Sequence, residues 1–221
     1  MPRVLDEEKN PTIGRLLAAV RSVDEQTDPQ RFRSSMRLLG TFLAYEIALE
    51  LEIGPRRVRT PLGERDEPSL AETPVLVTIL RASIPLWDGM LEVFPASPTT
   101  VIGAARREGK YVEGRGLEID FNYAALSRIE GRTLIYADPM IATGSTLLKI
   151  HPQLVAKAGR PKRVFVAGVI GYRGTAEMLE REIPDCRVVL ASADDVLDER
   201  GYIVPGLGDA GDLAFGPKLH G

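Results

Sequence analysis

Asp138 closes a short apolar run, Leu134-Ile-Tyr-Ala, and leads into Pro139-Met140-Ile141 and the turn Ala142-Thr143-Gly144-Ser145-Thr146. A helix-like apolar pattern then runs from Ser145 to Ala158. Strand, hydroxyl-and-glycine turn, helix: this order gathers main-chain N–H groups at a helix N-terminus, where a phosphate monoester binds well. A carboxylate at the strand end is placed to accept hydrogen bonds from the hydroxyls of a sugar carried by that phosphate. The chemistry indicated is recognition of a phosphorylated ribose. A Thr-Gly-Ser/Thr turn is weak support alone, because many phosphate loops share it.

A second constellation lies near the C-terminus, in Gly201-Tyr-Ile-Val-Pro-Gly-Leu-Gly-Asp-Ala-Gly-Asp212, with Ala191-Ser-x-Asp194 upstream. Gly206, Gly208 and Gly211 let main chain approach a ligand closely and adopt conformations closed to other residues. Two arginines complete the set. Arg81 follows the apolar run Val75–Leu80, and Arg106 ends Thr99-Thr-Val-Ile-Gly-Ala-Ala. Guanidinium groups offer paired donors and keep their charge, which suits phosphate oxygens, although either arginine taken alone reads first as a solvated surface residue. Arg107 is adjacent and able to share the role of Arg106.

The elements that must position these residues follow from periodicity. Near-continuous apolar runs at Val75–Leu80, Thr99–Ala105, Leu134–Ala137, Val164–Ile170 and Val188–Ala191 predict strands covered on both faces. Helical patterns lie between them at Pro85–Val93, Ser145–Ala158 and Thr175–Glu182. This alternation predicts an α/β fold with a mainly parallel twisted sheet flanked by helices. Ligands of such sheets collect beyond the carboxyl ends of the strands, where Arg81, Arg106 and Asp138 all fall. Upstream, a short helix is expected around Ile13–Val20. A longer one opens on Asp28 as N-cap with Pro29 in its first turn, and Phe32, Met36, Leu39, Leu43 and Ile47 line its apolar face through about Leu51. The stretch 56–74 reads as strand fragments and loop. Between Arg106 and Arg132 the chain turns polar and glycine-rich, then gives a possible strand over Leu117–Tyr123. An extended hairpin or lid is expected there, with 107–116 closing over the ligand. The stretch from Gly201 onward reads as loop-like and rich in glycine.

Composition excludes several classes. The 221 residues are 44% hydrophobic and 27% charged, with a net charge of −3, which gives no reason to expect nucleic acid or anionic membrane as the main partner. No apolar run approaches the roughly 18 residues of a membrane span, so a cytoplasmic protein is expected. The lone Cys186 reads as a buried strand residue in a reducing compartment. His151 and His220 alone cannot make a metal site.

The Asp138–Thr146 loop resembles the phosphoribosyl-diphosphate signature of the phosphoribosyltransferases. Its single acid, in the form Asp-Pro-Met-x-Ala-Thr-Gly, is similar to that of the uracil phosphoribosyltransferase family, archaeal-type members included. The Gly201–Asp212 run is similar, nearly residue for residue, to that family's uracil-binding segment. The resemblance covers Val75 to Phe215 well and reaches the N-terminal helices loosely, through Arg31-Phe-Arg33 and Tyr45-Glu46.

That resemblance implies a single type I phosphoribosyltransferase-like domain over 1–221: N-terminal helices over 1–55, an α/β core over 75–200, a hairpin lid, and a uracil-binding hood loop over 201–221. It implies transfer of phosphoribosyl from 5-phosphoribosyl 1-diphosphate (PRPP) to uracil, giving UMP and diphosphate, with Mg²⁺ as cofactor. The donor would be held by Arg81, Arg106, Asp138, Pro139, Met140, Ile141, Ala142, Thr143, Gly144, Ser145, Thr146 and Asp209. Uracil would be held by Ile203, Gly208, Asp209 and Ala210. Asp209, Arg81 and Asp138 are the expected catalytic residues. A homodimer or homotetramer is implied and, in some members, activation by GTP and inhibition by CTP. Two alternatives stay open: a phosphoribosyltransferase for another planar base, and a non-catalytic PRPP-binding regulator. The chain departs from the pattern at Ser83, where glycine is common, and at Leu213, where a basic residue is usual. Loss of that charge puts efficiency in doubt more than identity.

Overall fold

The computed structural model describes residues 1–106 and 119–217. In chain order the elements are β1 (Arg3–Val4), α1 (Pro11–Arg21), α2 (Pro29–Ala48), β2 (Ile53–Thr60), β3 (Gly63–Leu70), β4 (Val75–Leu80), α3 (Ile84–Val93), β5 (Thr99–Arg106) and β6 (Ile119–Ala125). They continue with β7 (Thr133–Ala137), β8 (Met140–Ile141), α4 (Ser145–Ala158), β9 (Arg163–Tyr172), α5 (Arg173–Glu182), β10 (Cys186–Asp194), β11 (Val196–Leu197), β12 (Ile203–Val204) and α6 (Ala210–Phe215).

The main sheet runs β1-β10-β9-β7-β4-β5-β6, with β8 also on β9. Every pairing in it is parallel except β5 with β6. Why the strands read as unbroken apolar runs is visible in β7. Leu134 and Tyr136 face a core shared with Leu147, Ile150 and Leu154 of α4 and with Leu179 of α5. Ile135 and Ala137 face the other core, shared with Phe32, Met36 and Leu39 of α2 and Leu86 of α3. Helices cover both faces, so no strand position can be polar without a partner.

The Asp28–Pro29 start acts as expected, and α1, expected around Ile13–Val20 without a named cap, proves to have one at Asn10. Asn10 Oδ1 accepts from the amides of Thr12 and Ile13, with Pro11 opening α1. Asp28 Oδ1 accepts from Gln30 and Arg31, with Pro29 opening α2. No helix among the described residues is long and apolar enough to cross a membrane.

Three expectations need correction. The first 55 residues are not helical throughout, since Arg3–Val4 form a parallel edge strand on β10 and Ile53 already begins β2. The 56–74 stretch is not fragmentary. β2 and β3 make a continuous antiparallel hairpin, from Ile53 opposite Leu70 to Thr60 opposite Gly63. Neither of its faces is buried, so it lacks the apolar alternation that would announce it. Downstream of Gly201 the chain is not all loop: β12 pairs with β11, and α6 follows. The strand expected over Leu117–Tyr123 is β6, running Ile119–Ala125 against β5. The proposed lid over 107–116 lies outside the described residues, as does Arg107.

Candidate active site at the carboxyl ends of parallel strands

β7, β4 and β5 are parallel neighbours, so their carboxyl ends open on one edge of the sheet. Arg81 follows β4, Arg106 ends β5 and Asp138 follows β7. The loop begins as an interruption of the ladder. The Asp138 amide still donates to Ala167 O (3.0 Å) and the Pro139 carbonyl accepts from Ile170 (3.0 Å), but Pro139 has no N–H to offer. Pairing resumes when Met140 and Ile141 meet Ile170 and Gly171. Asp138 Oδ1 accepts from the Met140 amide at 3.2 Å, which fixes the carboxylate beside its own turn.

Gly144 caps α4 at φ +72°, a left-handed conformation that disfavours side chains. A Cβ there would also lie 2.9 Å from Thr175 Cγ2 and 3.0 Å from Met178 Cε. α5 therefore backs the turn closely. The hydroxyls of Thr143 and Ser145 are hydrogen-bonded to each other at 3.0 Å, at the N-terminus of a 14-residue helix. Half-buried hydroxyls and amides at such a terminus present a positive cup suited to an anion.

Beneath the cup, the Tyr136 hydroxyl lies 3.0 Å from His151 Nδ1, joining β7 to α4. Burial pushes the Tyr136 phenol far up and holds His151 below the ordinary histidine value. Cys186, at the start of β10, is half-buried, and its thiol is pushed up to about 12, mainly by burial.

The C-terminal segment folds over this edge. A Cβ at Gly201 would stand 3.0 Å from Thr143 Cγ2, and one at Gly211 would stand 3.7 Å from Ala82 Cβ. Asp209 caps α6, its Oδ1 accepting from Gly211 at 2.8 Å and Asp212 at 3.0 Å. Of the four residues expected to hold a base, Ile203 and Ala210 are buried while Gly208 and Asp209 are exposed. The structure thus brings the Asp138–Thr146 loop, Arg81 and the 201–212 segment together at one place.

Arg81 meets a partner that sequence reasoning missed. Its Nη2 donates to Asp212 Oδ1 (2.9 Å) and to the Gly216 carbonyl (3.0 Å), tying the end of β4 to α6. Its Nε is buried and has no hydrogen-bond partner among the described residues. A buried donor without a protein partner calls for water or a ligand to satisfy it.

The two departures also resolve. Ser83 Oγ accepts from Ile79 N at 2.7 Å and lies 2.8 Å from Thr78 Oγ1, bracing the Arg81 turn against the strand it leaves. Leu213 is half-buried, with Cδ1 3.8 Å from where a Cβ of Gly208 would stand, so it packs behind the turn.

Other residues of the site gave no local signal. Arg21, at the end of α1, forms an ion pair with Asp194 and reaches the Gly206 carbonyl. Arg33 Nη1 donates to Ala214 O at 2.6 Å. Arg21 sits in no recognisable motif and only its fold neighbours reveal it; Arg33 lies in the Arg31-Phe-Arg33 stretch that the resemblance reaches loosely, which gave it no role.

A family model for uracil phosphoribosyltransferase matches residues 7–217. The uracil phosphoribosyltransferase of Pyrococcus furiosus is 38% identical over 215 residues, covering 96% of this chain and 89% of its own length. That of Porphyromonas gingivalis is 37% identical over 208 residues, 94% of each chain. Among solved structures, the AQ2163 protein of Aquifex aeolicus is similar over the whole of both chains, at 26% identity and a TM-score of 0.83.

Proposed function

Since this chain belongs to the uracil phosphoribosyltransferase family, we propose that it transfers phosphoribosyl from PRPP to uracil, releasing diphosphate and forming UMP. The observation that carries the reading is adjacency: an anion cup at the start of α4 touches a glycine-rich segment through Thr143 and Gly201. A phosphorylated sugar and a planar base must meet at C1 of the sugar, so the pockets that hold them must touch.

In this reading Pro139 to Thr146 anchor the 5-phosphate, Asp138 orients the ribose hydroxyls, and Arg81 with Arg106 holds the diphosphate. The bond from C1 to the diphosphate oxygen breaks, uracil N1 bonds to C1, and the N1 proton leaves. No side-chain nucleophile is required. Charge gathers on the departing diphosphate and on the ribosyl ring, and fixed dipoles and guanidinium groups lower the barrier by being in place beforehand. Asp209 stands on the base side of the junction, where it would contact both base and ribose.

Uracil offers acceptor, donor and acceptor along O2, N3–H and O4. Main-chain groups from Ile203, Gly208 and Ala210 that match this order leave cytosine with mismatched partners. Each buried mismatch costs about 1–3 kcal/mol, enough to choose one base.

Among the described residues no three His, Cys, Asp or Glu side chains cluster as a metal cage. The acids of this edge lie on two elements, Asp138 after β7 and Asp209 with Asp212 at α6. That set suits Mg²⁺ carried in on the diphosphate with most of its waters kept, since Mg²⁺ commonly takes few protein ligands. Bound there, it would neutralise the leaving group. We also carry over from the family a cytoplasmic homo-oligomer, a homodimer or homotetramer open to GTP and CTP as effectors.

The test is direct. Purified chain, uracil, PRPP and Mg²⁺ should give UMP and diphosphate in equal amounts, and Asp209→Asn should lower the rate at least about a hundredfold. Turnover of cytosine or a purine with none of uracil would sink the choice of base. PRPP binding without any nucleotide product would point to a regulator instead.

A further inference from the structure

Behind the base-side segment lies a polar cluster that the reaction above does not use. Arg21 Nη1 donates to Asp194 Oδ2 (2.7 Å) and to the Gly206 carbonyl (2.8 Å). Its Nη2 donates to Asp194 Oδ1 (2.8 Å) and Ser192 Oγ (2.9 Å). Asp194 Oδ2 in turn accepts from the Gly206 amide at 3.0 Å. Both main-chain polar groups of one glycine therefore end on a single, largely buried ion pair. A third contact comes from the turn after α1: the Gln26 side-chain amide faces two main-chain acceptors, Leu207 O at 2.8 Å and Val20 O at 3.1 Å, which only its nitrogen can satisfy, and its nitrogen is assigned to that side on this ground.

These contacts fall on successive peptide units. Asp194 fixes the unit between 205 and 206, Arg21 the unit between 206 and 207, and Gln26 the unit between 207 and 208. A trans peptide is planar, with N–H and C=O pointing opposite ways. Holding the Leu207 carbonyl toward Gln26 therefore turns the Gly208 N–H outward, to the exposed side of the turn. Gly206, at φ +58°, is the place where such a chain would otherwise flip. A flipped peptide exchanges donor for acceptor, which is the difference between reading uracil and reading cytosine.

We infer that the Arg21–Asp194 pair, with Gln26, is a positioning clamp that sets the donor and acceptor order of the base-reading main chain. Base affinity and base choice then depend on a residue 185 positions from the glycine it holds. The inference rests on the uracil reading above and deepens it. The ion pair is suited to the task because an arginine fork fixes direction at both oxygens, which a lysine ammonium cannot do.

The experiment is steady-state kinetics on the full chain with each substrate varied in turn. Asp194→Asn and Arg21→Lys should each raise KM for uracil by about tenfold or more, leave KM for PRPP within about twofold, and weaken discrimination against cytosine by about tenfold. Gln26→Ala should show the same split at about threefold. Amide exchange at Gly206 should be slow in the wild type and fast in Asp194→Asn. Parallel rises in both KM values, or unchanged uracil constants in folded variants, would overturn the clamp. Should Asp194→Asn not fold, Gln26→Ala decides by the same split. A wild type that makes no UMP fails the parent reading, and the clamp with it. UMP formation with unmoved variants sinks the clamp alone.

Discussion

The donor turn and the base-side segment touch, yet they are built in different ways. The turn over 138–146 is held chiefly by main chain. β8 pairs with β9, Asp138 donates to Ala167, and Gly144 sits against α5. The segment over 201–212 is held chiefly by side chains from elsewhere: Arg21 and Asp194 on Gly206, Gln26 on Leu207, Arg81 on Asp212. A loop that continues a sheet inherits its rigidity from the ladder. A loop pinned by side chains is only as fixed as its pins, and each pin is a single substitution away from loss. The reaction joins a phosphate, which needs a cup of fixed shape, to a base, whose identity depends on the direction of individual peptides. The two constructions suit the two tasks.

Arg81 is the residue where that division should break most severely, because it belongs to both sides. It leaves β4 at the donor edge and is bonded to α6 on the base side. Arg81→Ala should lower kcat/KM for both substrates by about 10²–10³, in line with the loss of a fixed charge stabiliser. Arg81→Lys should recover little, since its single nitrogen, placed where Nη2 holds Asp212 and the Gly216 carbonyl, leaves no second nitrogen in the position of Nε to face a diphosphate. An effect confined to one substrate would mean that Arg81 serves one pocket and that the link to α6 is only structural.

A matched pair of glycine substitutions sharpens the contrast. At Gly144, φ is +72° and a Cβ meets Thr175 and Met178; at Gly206, φ is +58° and a Cβ would stand 2.2 Å from the Ile203 carbonyl oxygen. Each Ala replacement adds backbone strain of about 1–3 kcal/mol, on the order of tenfold or more in an affinity. Gly144→Ala should appear in KM for PRPP, and Gly206→Ala in KM for uracil. Equal effects on both constants from either variant would show that the two regions move as one.

The same contrast explains what was legible in the sequence. Strands covered on both faces announce themselves as apolar runs, and the helix start at Asp28 carries a local cap, so the architecture followed from periodicity and punctuation. The donor turn was legible because its parts are contiguous: strand, acid, proline, hydroxyls, glycine, helix. The base-side segment was legible as a motif, but not as a supported structure. Arg21, Asp212 and Gln26 acquire their roles only when α1, β4 and β10 are brought to the same edge, and no spacing rule connects positions so far apart. The β2–β3 hairpin was missed for the opposite reason. Its residues are solvated on both faces, so burial writes no alternation into them. Edge strand β1 is two residues long and leaves no period to read.

A buried side-chain pair also stands behind the donor turn, and it gives the smallest expected effect. Tyr136 and His151 link the strand before the turn to the helix after it, 3.0 Å apart and buried. Burial lowers His151 from its ordinary value of 6.5, so the folded state binds its proton less readily than the unfolded chain. Tyr136 and Cys186 are both pushed upward and stay protonated across the same range. The sign then follows from linkage. Above the ordinary histidine value neither state is protonated and the contribution to stability is complete. As pH falls from there toward the depressed folded value, the unfolded state gains a proton that the native state does not, and stability is lost. Thermal unfolding should show Tm falling between about pH 7.5 and 5.5 from this group, and His151→Gln should flatten that part of the slope. Both KM values near pH 7.5 should stay unchanged in the variant, because main chain, not this pair, shapes the cup. A changed KM for PRPP would mean that the donor side, like the base side, depends on its side-chain pins.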